Sequence, residues 1–344
     1  MSAAVRILFL ADSHLGYDLP VRPRIERRRR GHDFLANYAA ALAPALNDEV
    51  DLVVHGGDVF DRPGVVSSLA YQAFEPLTRI ADRGVPVVIV PGNHERSSLP
   101  HLRFAAHPNI HVFGRPRTVV VTVRGVRVAL AGFPYERRDV RTRFRSLLEA
   151  TEWQEPLGDV HLLCVHHCVE GATVGPADYT FRSAADVIRP REVPAPFAGL
   201  LSGHIHRHQV ITRELGGRRL TTPVLYPGSI ERTSLAEIGE PKGFLVLEAA
   251  PGEPLTWTFR SLPARPMHRR EVGPEGLSAD QLEAAIGAIV GSVEPDAVVS
   301  IQLSGPLDES QRRRMTAASL RALAPATMNL EVRPAGGFRR PPPD

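Results

Sequence analysis

The residues best suited to chemistry stand in five short clusters. They are Asp12-Ser13-His14, Gly56-Gly57-Asp58-Val59-Phe60-Asp61, Gly92-Asn93-His94-Glu95, His166-His167 and Gly203-His204-Ile205-His206. Carboxylate, imidazole and amide oxygen form a hard-to-intermediate donor set that favours Mn, Fe or Zn over thiolate-preferring ions. Seven residues are candidate ligands: Asp12, His14, Asp58, Asn93, His166, His204 and His206. That is more than one four-coordinate ion needs. It fits two ions if Asp58 bridges them and positions stay open for water and phosphate. Residues two apart, as in Asp12/His14 and His204/His206, point to one side of an extended chain, so one turn can offer both to one cluster. The glycines beside Asp58, Asn93 and His204 are expected to let the backbone turn sharply and approach an anion.

A single Asp-x-His or Gly-His-x-His is a weak signal, because a buried, hydrogen-bonded histidine is commoner than a ligand. The weight comes from five clusters, each following a short apolar run. His55 lies inside such a run and reads as structural. Of His166 and His167, the expected ligand is His166, the first residue beyond the run. Cys164 and Cys168 lack thiolate-site spacing and read as packing.

The apolar runs are the elements that must position these groups. Residues 5–11, 50–55, 85–91, 160–165 and 197–201 are short and rich in Val, Ile and Leu, as buried strands are. Helical spacing occupies about 32–47 and 66–82. Such alternation implies an α/β domain, and in open α/β sheets ligands bind beyond the carboxyl ends of the strands. All five clusters should therefore converge on one rim. Residues 119–123 and 126–131 flank Arg124-Gly125 as a hairpin, and Leu215-Gly216-Gly217-Arg218 turns another. After the Pro-rich hinge Leu262-Pro263-Ala264-Arg265-Pro266, the pattern is strand (267–272), helix (278–291), strand (297–303), helix (309–323) and strand (328–333). The expected organisation is a main domain over 1–262, a small α/β module over 263–335 and a disordered tail over 336–344.

Composition narrows the function classes. With 344 residues, 43% apolar and 23% charged, the chain has ordinary globular usage and enough length for a sizeable core. No apolar run approaches the roughly 18 residues of a membrane span. Two cysteines cannot form a disulfide framework, so the expected setting is the cytoplasm. Of 41 basic residues only Lys242 is a lysine, and it sits in Pro-Lys-Gly, which excludes a P-loop. If ATP drives this protein's work, a partner hydrolyses it. A formal charge of +3 is too small to argue for nucleic-acid binding by itself.

Taken together, Asp-x-His, Gly-Asp-x-x-Asp, Gly-Asn-His-Glu, His and Gly-His-x-His resemble the calcineurin-like metallophosphoesterases. Ala11-Asp12-Ser13-His14-Leu15-Gly16, Gly57-Asp58-Val59-Phe60-Asp61, and Tyr226-Pro227-Gly228-Ser229-Ile230-Glu231 followed by Lys242-Gly243-Phe244 are similar to the SbcD-type DNA repair exonucleases. These are the bacterial counterparts of the Mre nuclease. Ala264-Arg265-Pro266-Met267 and the module after it resemble that branch's capping domain. The resemblance covers roughly residues 5–335 and implies an α/β/β/α sandwich with a C-terminal α/β cap. It also implies two divalent ions, most readily Mn. Asp12, His14, Asp58 and His206 would hold one; Asp58, Asn93, His166 and His204 would hold the other. His94 would act as general acid, and Asp61 would orient a ligand. Members of this branch usually continue past the cap to a helical segment that docks on an SbcC-type ABC ATPase. Here the sequence stops soon after Pro334, so docking is expected to use another surface or the partner to be dispensed with. A homodimer is a further expectation.

The run Arg22-Pro23-Arg24-Ile25-Glu26-Arg27-Arg28-Arg29-Arg30 has six arginines in nine residues, close to Asp12 and His14. It reads either as a solvated loop or, through Arg27, Arg28, Arg29 and Arg30, as a phosphate clamp for DNA. Arg137 to Arg143 reads as an ordinary helix face. The leading function is thus a metal-dependent phosphodiesterase acting on DNA. The alternatives are a small-molecule phosphodiesterase or phosphatase on the same dimetal core, and a non-catalytic scaffold. A small substrate needs neither a cap nor an arginine run, and a scaffold would be expected to have lost ligands.

Overall fold

The computed structural model describes residues 4–18, 30–155 and 158–333. Among these residues there are two compact units, one of residues up to 18 with 31–264, the other of Arg30 with the residues from Arg265 on. In chain order the first unit starts with β1 (Val5–Leu10), α1 (Gly31–Leu46), β2 (Leu52–His55), α2 (Ser67–Asp82), β3 (Val87–Ile89) and β4 (Ile110–Val112). The hairpin β5 (Arg117–Val123) and β6 (Val126–Gly132) follows, then α3 (Val140–Glu149) and β7 (Val160–Val165). Four two-residue strands come next: β8 (Cys168–Val169), β9 (Thr173–Val174), β10 (Tyr179–Thr180) and β11 (Val187–Ile188). The unit ends with β12 (Phe197–Ser202), β13 (Gln209–Arg213), β14 (Arg219–Tyr226), β15 (Gly243–Ala249) and β16 (Thr256–Ser261).

These strands build two six-stranded sheets, ordered β16-β15-β1-β2-β3-β4 and β13-β14-β12-β7-β6-β5. In the first, β1 to β4 run parallel. In the second, β6, β7, β12 and β14 do. Parallel strands buried on both faces need apolar side chains at every position, and alternation sends successive ones to opposite layers. In β1, Ile7 and Phe9 enter the layer between the sheets, while Leu8 and Leu10 pack under α1 and α2 with Phe34, Tyr38 and Phe74. In β7, Leu162 and Cys164 enter the inter-sheet layer, while Leu163 and Val165 pack with Phe144 and Leu148 of α3. The outcome is the expected α/β/β/α sandwich.

The second unit has a three-stranded parallel sheet of β17 (Met267–Val272), β18 (Val298–Leu303) and β19 (Asn329–Arg333). Its first helix is α4 (Ala279–Gly291), opened by a capping box of Ser278 and Gln281. The single helix expected over 309–323 is instead α5 (Glu309–Arg314) and α6 (Ala317–Leu323). The reason lies in Thr316, which adopts an extended backbone and accepts from the Ser319 N–H, so it starts a new helix rather than continuing the old one. No helix among the described residues is long and apolar enough to cross a membrane. Cys164 and Cys168 are free and buried.

Candidate metal centre

Every expected cluster lies just past the carboxyl end of a parallel strand: Asp12 and His14 after β1, Asp58 after β2, Asn93 and His94 after β3, His166 after β7, His204 and His206 after β12. Their presentation differs from the expected extended pairs. Asp12, His14, Asp58 and His204 have φ of 52°, 41°, 52° and 81°, in the left-handed region that residues with a Cβ rarely adopt. Main-chain bonds hold this conformation, with the N–H groups of Asp12, His14 and Leu15 donating to the carbonyls of Gly57, Asp58 and Val59 at 2.8–3.0 Å. Ligand direction is therefore set by kinked loops braced against each other, not by strand alternation.

The glycines turn the backbone, Gly57 at φ 105°, and also let the donor loops come close. A Cβ on Gly92 would lie 2.2 Å from Asp58 Oδ1, and one on Gly57 2.3 Å from His166 Nδ1. On Gly203 it would meet the Gly56 carbonyl oxygen at 2.4 Å. These positions are bare so that the ligand loops can approach one another.

Among the described residues three donor clusters result: Asp12/His14/His206, Asp58/His166/His204, and His14/Asp58/His94. In the first, the Nε2 atoms of His14 and His206 are 3.0 Å apart. In the second, Asn93 Oδ1 lies 3.0 Å from His166 Nε2 and 2.8 Å from His204 Nδ1. Asp58 Oδ2 stands between the two, 3.2 Å from His166 Nε2 and 3.9 Å from His14 Nε2. Asp12 accepts the His204 N–H at 3.1 Å on both oxygens, linking the first loop to the last.

This donor set fits divalent ions on a specific ground. His166 Nδ1 faces the Gly56 carbonyl at 2.7 Å and must donate to it. In the neutral ring Nε2 is then a bare lone pair, yet it faces the oxygens of Asp58 and Asn93. Lone pairs converging in a buried site call for a cation. Burial lowers the proton affinity of His166, but the charge and hydrogen bond of Asp58, with Asp12, overcome this and carry its pKa to about 9. The same field favours a metal ion. Burial and neighbouring imidazoles hold two other rings neutral, as ligands must be: His204 is pushed down to about 3, and His14 falls well below the usual range.

His94 is arranged differently. Its Nδ1 donates to the Asp61 carbonyl at 2.6 Å, its main-chain N–H donates to Asp58 Oδ1 at 2.9 Å, and its Nε2 lies 3.9 Å from Asp58 Oδ2. With 39% of the side chain exposed, it is the open edge of the cluster. The Asp61 carboxylate is 3.9 Å from His14 Nδ1, beyond hydrogen-bond reach.

Several supporting residues were not identified from sequence. Glu95 is buried and accepts the N–H groups of Phe60 and Gly92 at 2.8 and 2.7 Å, tying the Asp58 loop to the Asn93 loop. Burial and the Asp58 charge raise its pKa to about 8. Its place in Gly-Asn-His-Glu was the available signal. Glu237 reaches His206 Nδ1 at 3.3 Å, and no motif announces it. His55 is structural as expected: it accepts the Gly57 N–H and donates to Ser13 Oγ at 2.8 Å. His167 stacks on Tyr135 and accepts the Glu136 N–H, turned away from the donors that His166 meets.

Arg27, Arg28 and Arg29 lie outside the described residues, as do 334–344. Arg30 is only 6% exposed, which corrects its reading as a surface phosphate contact. Within Arg137 to Arg143, Arg141 and Arg143 pair with Glu170 and Glu136.

A calcineurin-like phosphoesterase family profile matches residues 5–208. The chain is 29% identical over 286 residues to the SbcD subunit of the SbcCD nuclease of Bacillus subtilis (strain 168), covering 74% of this chain and 68% of that protein. It is 26% identical over 283 residues to DNA double-strand break repair protein Mre11 of Aeropyrum pernix, covering 78% and 63%. Against the Mre11 protein of Methanosarcina acetivorans the identity is 25% over 315 residues, covering 90% and 47%. The chain thus spans about half to two thirds of the length of these relatives. Among solved structures, TT1561 of Thermus thermophilus aligns with a TM-score of 0.47 at 13% identity, over 75% of this chain and 99% of that one. The profile match runs from the first strand through both histidines of Gly-His-x-His, and the chain belongs to the calcineurin-like phosphoesterases, hydrolases acting on ester bonds.

Proposed function

We propose that the protein is a dimetal phosphodiesterase acting on DNA, an SbcD-like nuclease of DNA repair working in the cytoplasm with Mn. The observation that carries this reading is Asp58 Oδ2, which stands between His166 Nε2 and His14 Nε2 and so joins two donor clusters at one carboxylate. Asp12, His14, Asp58 and His206 would hold one ion; Asp58, Asn93, His166 and His204 would hold the other. When bound, such a pair supplies Lewis acidity, which activates water and neutralises phosphoryl oxygens. The residues of the chain do the rest. Asp58 fixes the spacing of the clusters, and Asn93 adds an amide oxygen beside His166 and His204.

His94 handles the leaving group. Because Nδ1–H is committed to the Asp61 carbonyl, the imidazolium form carries its second proton on Nε2, 3.9 Å from Asp58 Oδ2 on a partly exposed ring. As water oxygen bonds to phosphorus and the ester P–O bond breaks, that proton passes to the departing alkoxide. His94 then takes up a proton from solvent.

DNA as substrate is supported by the names of the relatives, a nuclease subunit and double-strand break repair proteins. The subunit name in the first relative supports an SbcC-type ATPase as partner; a second copy of the chain is a further proposed partner. Residues 263–335 act as a cap that orients the duplex, and Arg27, Arg28 and Arg29 contact phosphates. Replacing these three arginines by Ser should flatten the salt dependence of DNA binding while sparing a small phosphodiester, and an unchanged slope would remove them from the interface. The deciding experiment is Mn-dependent digestion of labelled duplex and single-stranded DNA beside bis-p-nitrophenyl phosphate. Cleavage of DNA supports the nuclease reading. Cleavage of the small ester alone would move the assignment to a small-molecule phosphodiesterase.

A further inference from the structure

The only lysine of the chain is buried beside the metal centre, and its ammonium meets three acceptors. Lys242 Nζ donates to the His206 carbonyl at 2.9 Å, to Glu237 Oε2 at 2.6 Å and to Glu240 Oε2 at 3.3 Å. An ammonium has three protons, and all three are used. Glu237 Oε1 in turn lies 3.3 Å from His206 Nδ1, which also has Thr233 Oγ1 at 3.2 Å, and it accepts from the hydroxyls of Thr233 (2.7 Å) and Ser234 (3.2 Å) and from the Thr233 N–H (3.3 Å). One ion pair therefore grips a single histidine twice, by its ring through Glu237 and by its backbone through Lys242.

The grip extends along the whole connection between β14 and β15. Gly228, at φ 79°, lies so close to the metal loop that a Cβ would meet the His206 carbonyl oxygen at 2.9 Å and the His208 nitrogen at 2.8 Å. Arg232 donates to the carbonyls of Glu237 and Glu240, each at 3.0 Å. Glu240 also accepts from Arg207 Nε at 3.0 Å, and Arg207 reaches the Gly175 carbonyl at 2.7 Å. Residues 228–242 form a strap across the 206–208 loop.

The other rings lack this support. His166 is oriented by the Gly56 carbonyl, a main-chain contact within the sandwich that owes nothing to the strap. His14, which shares a cluster with His206, has no hydrogen bond at Nδ1 among the described residues. Burying an ion pair is expensive, and replacing one by apolar side chains is often neutral or stabilising. A purely structural strap would not need one. Donation of Nδ1–H to a carboxylate, however, leaves Nε2 as a fixed lone pair and raises its strength as a ligand.

We propose that the Glu237–Lys242 pair positions His206, and thereby sets the affinity of the Asp12/His14/His206 subsite for its ion independently of the Asp58/Asn93/His166/His204 subsite. This rests on the dimetal reading above. Glu237 and Lys242 touch neither ion nor substrate; they act through the ring and the main chain of His206.

The test is a titration of the full metal-free chain with Mn(II), followed by calorimetry and electron paramagnetic resonance. The wild type should take up two ions and develop a spin-coupled spectrum. Glu237→Gln keeps an acceptor for Thr233 and Ser234 but loses the charge. It should bind one ion as before and the second about 10–100-fold more weakly, with uncoupled Mn(II) appearing at intermediate metal. Lys242→Met should do the same, and the double variant should lose no more than the worse single one, because the two residues act as a unit. Circular dichroism of each metal-free variant checks that the fold is kept; if Lys242→Met does not fold, Glu237→Gln carries the test. Two ions bound by Glu237→Gln with wild-type affinities would overturn the proposal, and so would equal weakening of both. A wild type that binds fewer than two ions would instead overturn the dimetal reading itself.

Discussion

From the first sheet of the sandwich come the oxygen donors Asp12, Asp58 and Asn93 together with His14; from the second come only imidazoles, His166, His204 and His206. The sheets also hold their ligands differently. In the first, kinked loops brace one another through main-chain bonds and through Glu95. In the second, His166 leans on Gly56 of the opposite sheet, and His206 is clasped by the strap. Neither sheet alone presents a complete donor set. The donor set is a property of their packing, so the apolar layer between them is part of the candidate metal site although it contributes no donor.

The sharpest way to break this comparison is Asp58→Asn. Asp58 belongs to the first sheet but faces His166 of the second, so the variant should lose both ions and turnover should be abolished. Metal content by mass spectrometry checks this, and retention of two ions with normal activity would show that no carboxylate joins the halves. Gly92→Ala is nearly as severe, because its Cβ would sit 2.2 Å from Asp58 Oδ1 and push the carboxylate out of place. The expected result is a folded protein that binds Mn(II) poorly, and a variant with wild-type metal content would mean the loops can yield.

His94→Ser separates ligation from proton transfer. Metal stoichiometry should stay at the wild-type value while kcat falls roughly 10²–10⁴-fold, the usual span for general acid catalysis. Since His14, Asp58 and His94 also form a possible donor cluster, loss of metal along with rate would make His94 a ligand. The smallest effect is expected inside the apolar layer. Leu201 is fully buried there, on β12 and three residues before His204. Leu201→Ala should lower the stability of the metal-free protein by about 2–5 kcal/mol. Saturating Mn(II) should restore part of it, about 2.7 kcal/mol at a hundredfold excess over Kd. Denaturant melts with and without metal would measure both, and an absence of stabilisation by metal would uncouple the centre from sheet packing.

Much of this was legible in the sequence because the signals were local. Runs such as residues 5–11 and 160–165 announce buried parallel strands by being apolar at every position, and each ligand cluster begins where such a run stops. What was not legible depends on contacts between distant segments. Left-handed backbone at Asp12 and Asp58 is dictated by one loop bonding to the other. The role of Gly92 becomes visible only when Asp58 is beside it. Glu237 lies in an aperiodic connection and reaches His206 from 31 residues away. Thr316 splits the last helical stretch through a cap that competes with helix propagation. Arg30 looks like surface charge in sequence and is buried in the fold.

Strand order carries a consequence for biosynthesis. β1 lies between β2 and β15, and its register with β15 pairs Val5 with Ala249. β1 therefore keeps one hydrogen-bonding edge open until residue 249 has been synthesised, roughly 10–50 s later at cellular elongation rates. An open apolar edge is a template for pairing with other chains. The donor set is likewise incomplete until His206 has left the ribosome. Any metal held by this set would then be acquired only after the strands of both sheets that precede His206 have been made, so it would reflect the ions available at that moment, not those met by the first strands.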